Sequence, residues 1–382
     1  MSENVPLVLA DPSSHAVHVE RGGAPFFNIT MLPAGHGDAL WIEYGRKGNT
    51  TSRVLVDCGT TASYPHLKAR ILQVPQAERR FDLFLMSHID SDHIGGALPL
   101  MADVGTLGLR FDDVWFNGHK HLTSQKESVQ QGEVFSDLIV KNKLNWNAWK
   151  KGGAIVCGDF RADNAAPSLT LRGGMKITLL SPTRAKLVDL ADAWDKALAA
   201  KNILIEDALE RGRVSETSED VPWLADVKNR PFKEDAAAPN GSSIAVLAEF
   251  AGKRVLLGAD AHPSLLEQAI KNLLKAPGSA KKLRLDAFKV SHHGSQNNLS
   301  PALLKLMDCR NYLVSTNGSV FSHPDRVAIA RIIQNGAAQP HLWFNYRSAD
   351  NEVWAKSALQ TKYHYSATYA ATADSGLSFS LF

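Results

Sequence analysis

The chain has 382 residues, 44% hydrophobic and 21% charged, with a formal net charge of +3. That balance excludes a wholly disordered or fibrous polypeptide and allows either two domains or one large α/β unit with insertions. The charge is too small to argue for a nucleic-acid partner by itself, because local patches rather than totals bind phosphates.

The first 25 residues, opening MSENVPLVLADPSSHAVHVE, are polar and are read as an extension. They lack the basic start and apolar segment of a signal peptide, and no later run approaches the roughly 18 apolar residues that span a bilayer, so a cytoplasmic protein without membrane contact is expected. FFNITMLPAGHGDALWIEYG reads as strand, turn, strand, broken at Gly35 and Gly37. RVLVDCGT is a buried strand ending in Asp57, and YPHLKARILQVP spaces its apolar residues for a helix stopped by Pro75. FDLFLMS is a third strand, with a helix starting in IGGALPLMADV. RFDDVWFNGHKH gives a further strand, Ser124 to Trp149 a helical stretch, and GGAIVCGDF, SLTLRGG and KITLLSPT a β-rich return.

The alternation then breaks. Arg184 to Leu209 is strongly helix-forming, Glu210 to Asn240 is polar without a period, and residues 185–238 are read as an insertion or cap. Strands and helices alternate again through SSIAVLAEF, KRVLLGAD, HPSLLEQAIKNLLK, DAFKVS, SPALLKLM, NYLVSTN and HPDRVAIARIIQ, and the last forty residues read as terminal strands. This order predicts a layered α/β fold over residues 26–382. Cys58, Cys157 and Cys309, odd in number and far apart, suit reduced thiols.

His88, Asp90, Asp92 and His93 crowd six positions directly after a buried strand. Zinc takes imidazole nitrogen and carboxylate oxygen, and a loop at a strand end can aim several side chains at one point. One of the aspartates would serve as a helix N-cap, but two histidines and two aspartates exceed what a cap needs. Further acids and histidines recur at strand ends: Asp57 after RVLV, Asp260 after KRVLLGA, His292 and His293 after AFKVS, and His323 after YLVSTNGSVFS.

The ordered set VLVDCG, SHIDSDHIGG, VLLGAD, KVSHHGS and SHP resembles the metallo-β-lactamase-fold hydrolases. The branch resembled most is that of the hydrolase domain in the DNA-uptake channel protein ComEC and its soluble relatives. The likeness runs from Phe26 to Gln334, and GHGDALWIEYG is similar to that branch's Gly-Gln-Gly-Asp turn, with His36 at the glutamine position. It implies a four-layer αββα sandwich with a two-metal site where the strands of both sheets end. It further implies that His88 and Asp90 hold one metal, Asp92 and His93 the second, and Asp260 bridges them. One of His292 and His293 would complete the second site, with His292 nearer the strand end. Asp57 would orient the metal loop through hydrogen bonds.

Two departures stand out. The general family has His-x-His-x-Asp-His; Asp90 at the second position follows the ComEC-like branch and hardens the site toward manganese or magnesium as well as zinc. The isolated histidine that many members place before the bridging aspartate has His119 or His121 as its only counterpart here; without it the first metal is weakly held, and one metal alone becomes an option.

Two divalent ions would acidify a bridging water into hydroxide, with Asp92 or Asp260 accepting the proton. Phosphodiesters gain most from such a clamp because charge develops on several oxygens, so a phosphodiesterase or nuclease is expected, acting on DNA, RNA or a smaller nucleotide. His323 is a candidate to contact a non-bridging oxygen or protonate the leaving group, against a simple role in helix entry before Pro324. Ser295 and Asn317 are candidates for phosphate contact beside Gly294 and Gly318. KNLLKAPGSAKKLRLDAFK is the most basic local run, suited to a polyanion backbone or to a solvated helix face. Two other classes stay open: an ester, lactone or β-lactam hydrolase on the same fold, and a metal-bearing interaction module of a defence or signalling assembly that docks a protein partner through the insertion. The sequence carries no signature of oligomeric state.

Overall fold

Alternating apolar residues must cover one face of a strand, and here the strands pair into two sheets. In the computed structural model, which describes residues 23–122, 130–158, 165–199, 224, 227, 230–276, 278 and 280–382, β1 (Pro25–Met31) and β2 (Leu40–Arg46) form the opening hairpin. β3 (Ser52–Val56) lies antiparallel to β2. After α1 (Tyr64–Leu72) and the two-residue β4 (Arg80–Phe81), β5 (Leu83–Leu85) runs parallel to β3. The helix expected behind it is divided into α2 (Ser91–Ile94), α3 (Ala97–Ala102) and α4 (Val104–Leu107). β6 (Arg110–Phe111) pairs with β4, and β7 (Val114–Trp115) with β5. Next come α5 (Gln130–Lys141), β8 (Ser168–Thr170), β9 (Lys176–Leu179), α6 (Arg184–Ala199), α7 (Ala238–Gly241), β10 (Val246–Phe250) and β11 (Lys253–Leu257). The chain ends through α8 (Pro263–Leu273), β12 (Leu283–Lys289), α9 (Pro301–Lys305), β13 (Met307–Val314), α10 (Arg326–Asn335), β14 (His341–Phe344), α11 (Ser357–Tyr363), β15 (Ser366–Tyr369) and β16 (Leu377–Ser380).

One sheet has the order β16-β1-β2-β3-β5-β7, the other β15-β14-β13-β12-β11-β10-β9-β8. Three buried clusters set the layers. Phe27, Ile42 and Val54 of the first sheet meet Ile177, Val246 and Val255 of the second between the sheets. Ile71, Leu100 and Phe135 carry α1, α3 and α5 on the first sheet's outer face, and Leu266, Leu303 and Ile329 carry α8, α9 and α10 on the second's. The result is helix, sheet, sheet, helix: the αββα sandwich that the motifs imply.

Three stretches differ from expectation or lie beyond view. Residues 154–158 of GGAIVCGDF form no strand, because a side chain stands in for the ladder: Asn117 Oδ1 accepts from Ile155 N and Asn117 Nδ2 donates to Ile155 O, both at 2.8 Å. α11 interrupts the terminal strands, and none of its residues is buried, so no apolar stripe announces it. Of the expected insertion, α6 packs Leu187 and Leu190 into the first sheet's helical layer, while residues 200–223 lie outside the described residues, as do residues 1–22 of the extension. No described helix is long and apolar enough to cross a membrane.

Gly96 lets α2 and α3 approach the turn after β3: a Cβ there would sit 2.2 Å from the Cys58 carbonyl oxygen. Gly96→Ala is therefore expected to cost about 1–3 kcal/mol through forced displacement, read as a lower urea midpoint at unchanged slope. Gly105→Ala in α4, where a Cβ meets nothing within 4 Å, is the matched control and should hold or raise stability. Equal midpoints for the two variants would show that the close approach is unimportant.

Candidate metal centre

β3 and β5 are parallel in one sheet, β11 and β12 in the other, and each is followed at its carboxyl end by chemistry: Asp57, His88, Asp260 and the pair His292-His293. Loops there escape the pleat, which is why ligands from four strands can meet. The backbone is bent to do so. Asp57, Ala259, His292 and His293 hold φ of 56°, 44°, 48° and 53°, left-handed conformations that cost on the order of 1–3 kcal/mol each for non-glycine residues. Asp90 stands at the N-cap of α2, yet its side chain makes no capping hydrogen bond. The N-cap reading therefore does not account for it.

Asp260 is the hub. Its Oδ2 lies 3.4 Å from His93 Nε2, 3.6 Å from His293 Nε2, and 3.8 Å from both His88 Nε2 and His292 Nε2. Asp92 Oδ2 is 3.2 Å from His293 Nε2, the His93 and His293 Nε2 atoms are 3.2 Å apart, and Asp90 Oδ2 is 3.4 Å from His88 Nε2. Each ring is held from behind through Nδ1: His88 by Ser87 Oγ at 2.9 Å, His93 by Asp57 at 2.8 Å, His292 by Asn298 Oδ1 at 2.9 Å, and His293 by the Ser315 carbonyl at 2.9 Å. A proton donated outward from Nδ1 leaves the Nε2 lone pair facing inward, the arrangement that metal-binding imidazoles need. Asp57 spends its carboxylate on Ser87 N, Ser87 Oγ and His93 Nδ1.

His88 Nε2 and Asp260 Oδ1 are buried without a hydrogen-bond partner. A buried polar atom left so is costly, and a divalent cation among facing imidazoles and carboxylates is the partner that suits both. The residues present fit a metal. In its absence protons take the cation's place. Burial alone pushes His93 down, but the carboxylates of Asp260, Asp92 and Asp57 outweigh it and raise the ring well above its usual value. The same contest raises His292 to about 10 and His293 to about 9, with Asp260 the strongest of the raising groups. Asp92 and Asp260 are held below the usual carboxylate range: burial opposes this, and the facing imidazolium groups prevail.

Ligand atoms of Asp38, His93, Asp260 and His293 lie within 4.8 Å of one another. Asp38 nonetheless sits behind the cluster. Its Oδ2 accepts from the fully buried Lys289 Nζ at 2.5 Å, and its Oδ1 faces His293 on the Nδ1 side at 3.4 Å. Lys289 holds the Asp38 carboxyl at about 2, against burial, so Asp38 supports the His293 ring.

A cleft of about 220 Å³ opens on Asp90, Asp92, Asp260 and His292, with Lys233, Asn240 and Phe321 among its other walls. Asp235 braces this side: it accepts from Asn240 Nδ2 at 2.7 Å, Asn298 Nδ2 at 2.9 Å and Ala237 N at 2.9 Å, and lies 3.7 Å from His292 Nδ1. His323 is buried beside the cleft, its ring 5.3 Å from that of His292. Ser295 is buried and accepts from Asn297 N, and Asn317 is half-buried with its Oδ1 on Ser319 N, so both serve local turns. His119 is buried in the turn His119–His121, and His121 stands edge-on to Trp146. Lys289, Asp235 and Asn298 have no assigned role in the sequence reading, and Asp38 enters it only as the last residue of the GHGD turn; a lysine inside the apolar run DAFKVS is the other visible signal.

Imidazoles and carboxylates thus converge at the strand ends of an αββα sandwich, an arrangement consistent with the metallo-β-lactamase fold. In accord with this, residues 32–155 match the family model described as the Metallo-beta-lactamase superfamily. No curated protein matches the chain. Among solved structures it is similar to Zn(2+)-bound PqqB from Methylobacterium extorquens, at 13% identity and TM-score 0.40 over 92% of this chain and 99% of that one. It is similar also to a diphosphatase of the PhnP family, at 12% identity and TM-score 0.37 over 93% and 97% of the two chains. A long-form RNase Z from yeast matches at 10% identity and TM-score 0.36 over 88% and 39%.

Because the facing carboxylates raise His93, His292 and His293, metal uptake at pH 7 is expected to release protons, and affinity to climb as pH rises toward about 9 to 10 and then level. Calorimetric zinc titration in buffers of different ionisation enthalpy checks this. Heats independent of the buffer would refute it.

Proposed function

We propose that the chain is a metal-dependent hydrolase of phosphodiesters, a phosphodiesterase or nuclease, of the kind its resemblance to the ComEC-like branch implies. The observation that carries the reading is the convergence of four Nε2 atoms on Asp260 with His88 Nε2 and Asp260 Oδ1 left without other partners. Asp92, His93 and His293 would hold one ion with Asp260, and His88 and Asp90 the other, with His292 reaching Asp260 from the cleft side. Zinc or manganese suits this set, and Asp90 admits magnesium. Bound there, two ions supply Lewis acidity and a water acidified to near neutrality.

The chain's own residues do the rest. Asp92 or Asp260, whose carboxylates face the centre, is the candidate acceptor of the attacking water's proton. His323, buried behind the cleft wall, is the candidate donor to the leaving oxygen. The described cleft walls carry Asp90, Asp92, Glu234, Asp235 and Asp260 against Lys233 and the imidazole of His292, an excess of carboxylates that bound cations would offset for an anionic substrate. Binding of a phosphodiester in this cleft would thus depend on metal as much as its cleavage does.

Asp92→Asn and His293→Ala are each expected to lower bound metal by about one equivalent per chain, measured by plasma mass spectrometry, and to cut hydrolysis of bis(p-nitrophenyl) phosphate by 100-fold or more, on the order of the loss that supporting residues alone produce. His323→Ala should keep its metal and lose about 10²-fold in kcat, the usual scale for a general acid. Hydrolysis of esters but not of diesters, whichever of the three metals is supplied, would overturn the substrate assignment.

A further inference from the structure

At the other end of the second sheet lies a larger concavity, about 760 Å³, formed where α8 ends and where β9, β11 and β12 begin. Lys176, Arg254, Lys275, Lys282 and Arg284 line it against a single described carboxylate, Glu249, which is shared by Lys176 at 3.6 Å and Arg254 at 2.9 Å. Pairing places these groups side by side: Glu249 stands opposite Lys176 on β9 and opposite Arg254 on β11. Lys275, Lys282 and Arg284 are exposed. Small side chains, Ala166, Ala276 and Ala280, lie between them, and no aromatic residue is among the described lining.

We propose that this groove binds the phosphate backbone of a nucleic acid. An acidic protein partner would be expected to meet buried aromatic anchors, the groups that dominate protein interfaces, and the groove offers charge without them. A backbone needs only spaced cations, and counterion release then supplies the affinity. Because β11 and β12 are parallel, the groove sits at their amino ends and the metal centre at their carboxyl ends, roughly 20 Å apart for seven residues at 3.3 Å each. The proposal rests on the phosphodiesterase reading for its meaning: the groove would retain a polynucleotide while the metal centre cuts it, and short diesters would bypass the groove.

The test is fluorescence anisotropy of a labelled oligothymidylate of about 30 nucleotides, with chelator present to prevent cleavage, across about 50–200 mM NaCl. The wild-type chain should bind with log affinity falling linearly in log salt. Combined Lys275→Glu, Lys282→Glu and Arg284→Glu should weaken binding at least tenfold and flatten the slope by about 2, three contacts at about 0.7 each for a single strand. The corresponding glutamine variant should fall between, which separates charge from misfolding. Unchanged affinity and slope would overturn the proposal, and so would displacement by polyglutamate as effective as by unlabelled oligonucleotide, which would assign the groove to acidic polypeptides. Metal content and turnover of bis(p-nitrophenyl) phosphate should be the same in wild type and variants. If no protein cleaves that diester, the metal-centre reading fails while the anisotropy still decides the groove.

Discussion

The structure depends on burying ionised groups at one edge without stranding any of them. Asp38, Asp57, Asp92 and Asp260 are all within a few per cent of full burial. An isolated carboxylate so placed would cost far more than a domain's net stability. Each therefore has an assigned partner: Lys289 for Asp38, Ser87 and His93 for Asp57, and the facing imidazoles for Asp92 and Asp260. The network is also the seam of the sandwich. Lys289 of β12 reaches Asp38 at the start of the first sheet, Ser315 Oγ donates to Gly37 O, Asn345 Nδ2 donates to Leu32 O, and Ile244 N donates to Ser87 O. The two sheets are joined by polar contacts where the ligands gather and by apolar packing elsewhere.

The sequence made the layers and most converging side chains legible for a simple reason. Strand periods and the residue types at strand ends are local properties, and His88, Asp90, Asp92, His93, Asp260, His292 and His293 announce themselves by type and spacing. What it could not convey is pairing across the seam. Asp38 and Lys289 are 251 positions apart, and although the GHGD turn is a visible motif, nothing in it names Lys289 as its partner until the sheets face each other. The histidine pair shows a second limit. Alternation along a strand would turn one ring in and the other out, but both residues adopt left-handed backbone, so both Nε2 atoms reach Asp260. GGAIVCGDF shows a third: it has the composition of a strand, and the side chain of Asn117 takes its hydrogen bonds.

On the cleft side of Asp260 stands His292, whose ring is fixed by residues from another part of the chain. Asp235, close to the end of the segment read as an insertion, locks Asn298, which holds His292 Nδ1 and also donates to the Asp260 carbonyl. The segment that walls the cleft thus also sets the orientation of a ring at the metal centre. Loss of Asp235 would loosen the wall and the ring together.

The net charge of +3 conceals an arrangement in which sign and position are matched. Acidic groups dominate the cleft at the carboxyl ends of β11 and β12, and cationic groups dominate the groove at their amino ends. On the proposed reading, two divalent ions bound there would make the acidic end attractive to anions, so that both ends of the sheet would favour the same polyanion; without them the excess of carboxylates at the cleft would disfavour it there. Metal occupancy would in this way govern where a polyanion rests as well as whether it is cleaved, because the carboxylates that would bind metal are the same groups that otherwise disfavour the substrate.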